Sequence, residues 1–226
     1  MKQIISGANI PTPDYSEYAT DVPILAYIVN IGMLGEDIVN GKWLPFPTTP
    51  ESVKEVLNSI GIDGDRYKRF IVADYFTIIA GLDMILPASP CMNELNLLAN
   101  FIDNMECEEM DIFEAALELK KPTEMAEIIN TALNIPVFEY IPDVADEDEL
   151  GRYCVENFDF CDVPGIDEFL LHVNHYFYGI SKQQDENGIF VDVGYISAED
   201  DIPTIYSGLS DLPDEAKLFT DCPCCQ

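Results

Sequence analysis

Carboxylates outnumber cations almost four to one in this chain, with 42 Asp and Glu against 11 Lys and Arg and a formal net charge of −31 over 226 residues. No other feature restricts the fold as much. Self-repulsion of that size opposes compaction, so the charge asks for a functional reason. It also repels phosphate, which excludes direct nucleic-acid binding and docking on an anionic membrane. A hydrophobic share of 48% is nevertheless too high for a disordered acidic tail, so the chain folds. No apolar run approaches the roughly 18 residues of a membrane span. The start, Met1-Lys2-Gln3-Ile4-Ile5, is no signal peptide. The expectation is a soluble, cytoplasmic protein with one large domain or two to three small ones.

The charge is graded along the chain. Residues 24–87 hold 8 acids and 5 bases, residues 88–135 hold 10 and 2, and residues 136–196 hold 14 and 2. Secondary-structure signals divide the chain at the same places. Residues 1–23 read as an extension. Strands are expected at Ile24–Asn30, Lys42–Phe46 and Arg69–Phe76 from their β-branched and aromatic content, Pro45 marking an edge or bulge. Between the last two lies a helix, with Thr49 as N-cap, Pro50 at the first helical position, Val53, Val56, Leu57 and Ile60 on its apolar face, and Gly61 ending it. Residues 88–135 carry three amphipathic helical patterns, Met92–Met105, Cys107–Leu119 and Thr123–Leu133, which make a small bundle. Then come a strand at Val137–Ile141, helices at Asp146–Phe158 and Ile166–Tyr178, and a strand at Gly188–Gly194. The tail, 197–226, is acidic, with Pro203 and Pro213, and is expected to be largely irregular or disordered. The expected class is α+β: an elongated three-module chain with a small α+β module (24–87), a small helical bundle (88–135) and an acidic α/β module (136–196).

Chemistry-bearing motifs are scarce. There is no phosphate loop and no Gly-x-Ser-x-Gly elbow. His172 and His175 fall at i and i+3 of one expected helix, without a local third ligand. Cys107 and Cys154 sit in helical patterns and read as buried thiols. Cys222, Cys224 and Cys225 crowd the C-terminus, where a soft metal needs a fourth ligand that the sequence does not indicate. No metal, cofactor or catalytic residue is assigned, and an enzyme is not expected.

The helix over Cys107–Lys120 is the most informative segment. At about 100° per residue, Ile112, Phe113, Ala116 and Leu117 fall on one arc, and Glu108, Asp111, Glu114 and Glu118 lie opposite. These acids climb the axis in steps of about 4.5 to 6 Å, without an interleaved cation. The stripe fits either an ordinary solvated face or a line of charges spaced like backbone phosphates. Duplex DNA carries one charge per roughly 1.7 Å of axis, so the net charge matches about 53 Å of duplex. A second acidic run, Asp146-Glu147-Asp148-Glu149, opens the next helix, where the helix dipole favours acids in any case.

The order of modules and several segments resemble the ArdA-type antirestriction proteins of conjugative plasmids and transposons. The segments are Tyr27-Ile-Val-Asn-Ile-Gly32, Gly41-Lys-Trp43, Phe70-Ile-Val-Ala-Asp-Tyr75, Glu94-Leu-Asn-Leu-Leu98, Gly151-Arg-Tyr-Cys-Val-Glu156, Val163-Pro164, Tyr176-Phe-Tyr-Gly179 and Gly188-Ile-Phe190. The resemblance covers about residues 24–196. It implies a non-enzymatic DNA mimic, an elongated homodimer that occupies the DNA groove of type I restriction-modification enzymes, both the methyltransferase core and the nuclease complex. On that reading the phosphate-mimic carboxylates are Glu108, Asp111, Glu114, Glu118, Asp146, Glu147, Asp148, Glu149, Glu156, Asp167 and Glu168. The family's antirestriction motif maps onto about Phe158–Gly179, a stretch associated with dimer formation, and Phe169, Val173, Tyr176 and Phe177 would form the dimer interface. The alternatives are an acidic inhibitor of another DNA-binding defence protein, such as a CRISPR effector, and a metal- or thiol-dependent enzyme using the histidines or terminal cysteines.

Overall fold

The computed structural model describes residues 10–13, 18, 22–157, 172–198 and 202–219. Among these residues are eight α-helices and two three-stranded antiparallel sheets, a mixed α+β architecture. Contacts gather the chain into two compact units. One comprises residues 1–110, 122–133 and 204–226, and the other 111–121 and 134–203.

The first unit is built on β1 (Ile24–Asn30), whose seven residues are all buried. The unbroken apolar run from Ile24 to Val29 belongs to a strand covered on both faces. It lies between β2 (Gly41–Phe46) and β3 (Phe70–Thr77), so β2 is an edge strand, the position that Pro45 tolerates. After β1 a single short turn, α1 (Ile31–Leu34), is capped by Asn30. On one face Leu25, Tyr27 and Val29 cluster with Trp43 and Ile71, and Ile10, Tyr18 and Val22 of the N-terminal extension pack over them. The extension is therefore part of the core, tied by the Trp43 indole N–H, which donates to the Pro11 carbonyl at 2.8 Å. Helix α2 (Pro50–Ser59) starts as its sequence dictates, with the Thr49 hydroxyl accepting from Ser52 N–H. It buries Val53, Val56 and Leu57, and Gly61 follows its C-terminus at φ +79°. A short α3 (Leu82–Ile85) leads to α4 (Met92–Asp103), which packs with α6 (Met125–Leu133).

The tail departs most from expectation. Residues 204–219 form no strand or α-helix, only 3-10 turns at Leu209–Asp211 and Asp214–Ala216, yet Tyr206, Leu212, Ala216 and Leu218 are buried. Asparagines on α4 and α6 hold this segment by its main chain. Asn93 Oδ1 accepts from the N–H groups of Leu218 and Phe219, at 2.9 and 3.1 Å. Asn130 Oδ1 accepts from those of Ile205 and Tyr206, at 2.8 and 2.9 Å.

In the second unit the sheet order is β4-β6-β5, with β4 at Phe138–Pro142, β5 at Ile189–Val191 and β6 at Gly194–Ala198. The expected single strand Gly188–Gly194 is in fact a hairpin, turning at Asp192–Val193 with Gly194 at φ +152°. Alternation along β6 separates two clusters. Ile196 packs with Phe138 against Ala115 and Ala116 of α5 (Cys107–Lys120), while Tyr195 packs with Val144, Leu150 and Cys154. Leu150 and Cys154 lie on α7 (Glu147–Asn157), which packs on α8 (His175–Glu186).

That α7–α8 contact is made backbone to backbone. A Cβ on Gly151 would lie 1.9 Å from the His175 carbonyl oxygen, and one on Gly179 would lie 1.8 Å from that of Glu147. Only glycine at both crossing points permits such an approach. The expected helix Ile166–Tyr178 is not one element in its described part. Residues 172–174 are non-helical, and the Asn174 side chain accepts from Phe177 N–H to start α8 at His175. His172 and His175 thus do not share a helix. Cys107 is exposed instead of buried, whereas Cys154 is buried. Residues 158–171 and the terminal cysteines lie outside the described residues.

Candidate functional site

Helix α5 carries the stripe in a corrected form. Besides Phe113, Ala116 and Leu117, it buries Ala115, and Leu119 packs in the sheet cluster with Ile112. Ala115 and Leu119 each lie within about 20° of Glu108 on the helical wheel. The covered arc is therefore wider than expected and extends across the angular position of Glu108, which is exposed only because it occupies the first turn. The acids that ride the open arc are Asp111 and Glu118, both exposed, and the half-buried Glu114. Neighbouring Glu109 is turned to the helix start, where its carboxylate accepts from Glu106 N–H at 2.9 Å. The sequence wheel placed Ile112, Phe113, Ala116 and Leu117 on the covered arc and did not take in Ala115 or Leu119. Only the strands that come later in the chain, from Phe138 onward, reveal the contact.

The Asp146–Glu149 run is largely engaged in building α7. Asp146 Oδ1 accepts from Glu149 N–H at 2.9 Å, and the Glu149 carboxylate accepts from Ala145 N–H at 2.8 Å, a reciprocal capping pair. Asp148 pairs with Arg152 at 2.6 Å, one turn on. Glu147 is half-buried beside the glycine crossing, and Glu156 is exposed. Asp167, Glu168 and Phe169 lie outside the described residues. Of the described candidate acids all but Glu108 belong to the second unit. That unit contains 20 acids and 4 bases, a net of −16 in 81 residues. Two of its four cations are paired within it, Arg152 with Asp148 and Lys182 with Glu186. Burial works to lower the Lys182 ammonium, but the adjacent Glu186 carboxylate outweighs it and holds the group above its usual value. Lys120 and Lys121 stand at the end of α5, where the helix dipole favours cations.

Acids missed by the sequence reading share this unit. Glu139, Asp185 and Glu186 line a recess of about 630 Å³ together with Phe138, Asn187 and Ser197. Glu186 also accepts from the Tyr195 hydroxyl at 3.2 Å, and burial, then this carboxylate, raises the phenol. The exposure of Glu139 next to buried Phe138 follows the strand alternation and was open to sequence reasoning. No group of three or more His, Cys, Asp or Glu among the described residues is arranged to hold a metal ion. Of the interface candidates, Val173 is half-buried, while Tyr176 and Phe177 are 47% and 66% exposed, their rings 5.7 Å apart. No helix among the described residues is long and apolar enough to cross a membrane.

A family model described as antirestriction protein (ArdA) matches residues 26–197. No curated protein matches the chain. The match takes in both sheets, the acidic face of α5 and the glycine crossing of α7 with α8, and it spans well over half of the sequence. The chain belongs to the ArdA family of antirestriction proteins, inhibitors of restriction-modification enzymes rather than enzymes themselves.

Proposed function

We propose that this antirestriction protein acts as a DNA mimic, placing carboxylates where a type I restriction-modification enzyme expects phosphates and so occupying its DNA groove, in the methyltransferase core and in the nuclease complex. The observation that carries the reading is the charge of the second unit, 20 acids against 4 bases, of which two are already paired internally. A surface of that kind attracts a cationic groove over long range and loses the attraction as salt screens it. The acids that bear on the enzyme are Asp111, Glu114, Glu118 and Glu156, with Glu108, Asp167 and Glu168 as flanking contributors. Asp146, Asp148 and Glu149 add charge while serving their own helix. The chain works as a homodimer through Tyr176 and Phe177, with Val173 and Phe169 as further interface residues. Two aromatic rings standing in solvent at the start of α8 support this part of the reading.

The decisive experiment is competition. Purified protein is titrated against a type I methyltransferase core holding labelled duplex, at several salt concentrations. Displacement of the duplex, weakening steeply with salt, is expected. Unchanged duplex affinity at saturating protein removes the mimic mechanism for that enzyme. Light scattering checks the dimer: a particle of twice the chain mass is expected for the parent, and of one chain mass for Phe177→Asp.

A further inference from the structure

We propose that the face formed by α4 and α6 is a groove for an extended polypeptide, and that residues 204–219 are a ligand for it that a second copy of this chain can supply. The segment lies beyond residues 26–197, where the family match ends, so nothing in the family accounts for it. It reads as a bound peptide. Two 3-10 turns are its only regular structure, and it forms no sheet with the rest of the unit. Its fixed points are buried side chains six residues apart, Tyr206, Leu212 and Leu218, at 3%, 6% and 5% exposure. Between and beside these anchors Asp211, Asp214 and Glu215 face solvent.

The groove reads the main chain at both ends. The Asn93 amide bonds this segment three times: its oxygen accepts from Leu218 and Phe219 N–H, and its nitrogen donates to the Phe219 carbonyl at 3.1 Å. Asn130 holds the other end, donating to the Tyr206 carbonyl at 2.7 Å and accepting from two N–H groups, while its nitrogen also donates to the Ala126 carbonyl of α6 at 2.8 Å. Asn96 donates to the Ala216 carbonyl at 3.4 Å and accepts from Thr48 N–H at 2.8 Å, so groove and sheet module are linked. A side-chain selector completes the set, the Tyr206 hydroxyl donating to Glu94 at 2.9 Å. Asparagine is a poor helix former, and Asn93 and Asn96 are buried in α4. Their amides are satisfied there by the main chain of the tail segment and, for the Asn96 oxygen, by Thr48 N–H. All these determinants sit within residues 205–219, and none requires that segment to be covalently continuous with β6. A copy of it arriving from another molecule meets the same hooks and the same buried sites for its side chains, which is the chemistry of main-chain recognition combined with side-chain anchoring.

The test starts from the full chain carrying a protease site between residues 198 and 202, cut after folding. The cut fragment is expected to remain bound through gel filtration at micromolar concentration. A fluorescent synthetic peptide of residues 202–219 is expected to replace it within hours, with the released fragment recovered in equal amount. Peptides with Tyr206→Ala or Leu218→Ala should compete at least tenfold more weakly. These variants lie in the peptide, so they cannot unfold the receptor. A fragment that resists a hundredfold excess of labelled peptide for days is an integral part of the fold, and that result overturns the proposal. So does a fragment that leaves on cutting and whose site then takes up no peptide, and so does equal competition by the Tyr206→Ala and Leu218→Ala peptides.

Discussion

Replacing Gly151 by alanine offers a perturbation whose sign can be worked out from the structure. Inside an exposed helix this change stabilises by about 1 kcal/mol, because alanine is the better helix former. At this position the new methyl would sit 1.9 Å from the His175 carbonyl oxygen and 2.6 Å from its carbon. Those are backbone atoms, which cannot rotate aside. To restore ordinary contact near 3.4 Å, α7 and α8 must part locally by about 1.5 Å. Overpacking of a fitted interface costs about 1–3 kcal/mol and more where backbone is forced to move. Because backbone must move here, the cost falls at or above the upper end of that range, so net of the propensity gain the expected loss is about 2 kcal/mol or more, or at least roughly 4–8 °C in Tm for a chain of this length. Gly179→Ala should behave alike, since its Cβ would meet the Glu147 carbonyl oxygen at 1.8 Å. Because both methyls enter one crossing, helices already parted by the first accept the second at lower cost. The double variant should therefore lose less than the sum of the singles. Thermal melts of the four proteins by circular dichroism decide it. Either single variant melting at or above the parent would refute the backbone-contact account, and strict additivity would refute the shared crossing.

The remaining expectations concern charge. Changing Asp111→Asn, Glu114→Gln and Glu118→Gln together should weaken inhibition by about 1–3 kcal/mol, at about 0.2–1 kcal/mol per exposed charge pair, with Tm unchanged; each single change should be almost silent, and a single change that abolishes inhibition would point to a localised site instead. Glu108→Gln added to the triple should contribute no more than its share, because its side of α5 is otherwise covered. Asp146→Ala should cost about 1 kcal/mol of stability through loss of the α7 cap, while protein that remains folded inhibits like the parent; a titration normalised to folded protein separates the two. The Glu127 carboxylate is held below its usual range by the N–H groups of Thr123 and Glu124 at the start of α6. A depressed carboxylate stabilises above its unfolded pKa of about 4.3 and loses that contribution as pH falls through the folded value. The Tm difference between the parent and Glu127→Gln should accordingly be present at neutral pH and vanish in strong acid, and a difference that persists there would assign it to packing.

What could be read from the sequence was what depends on neighbours along the chain. β1 was legible because six consecutive apolar residues, Ile24 to Val29, precede a polar break at Asn30, and α2 because Thr49, Pro50 and Gly61 are local start and stop signals. The start of α8 was misread because hydrophobic periodicity runs across Asn174, although Asn174 and the pair Asn187-Gly188 bracket the helix that forms. Cys107 was misplaced because a helical pattern says nothing about which end of the helix is covered. The second unit's charge was visible in composition, but the reach of each acid was not. Glu109, Glu127, Asp146 and Glu149 are bound to helix starts by geometry that only a folded backbone provides. The docked tail escaped for a different reason. Anchors spaced six apart leave the intervening positions of a period-two pattern unfilled and do not fit a period of 3.6, and their partners lie far away in the sequence, in α4 and α6.

Trp43 is the sole tryptophan of the chain, it is 7% exposed, and its indole is bonded to Pro11 and stacked at a tilt on Tyr27 at 5.1 Å. Its emission is therefore a built-in reporter of the first unit, and most directly of whether the N-terminal segment is attached. Detachment alone would shift the emission to the red while leaving helical ellipticity almost intact. The second unit is silent at that wavelength and would be followed through its helices. Scanning one sample by both signals asks whether the two halves melt as a single cooperative body: superimposed curves mean that they do, and separated curves give each half its own midpoint.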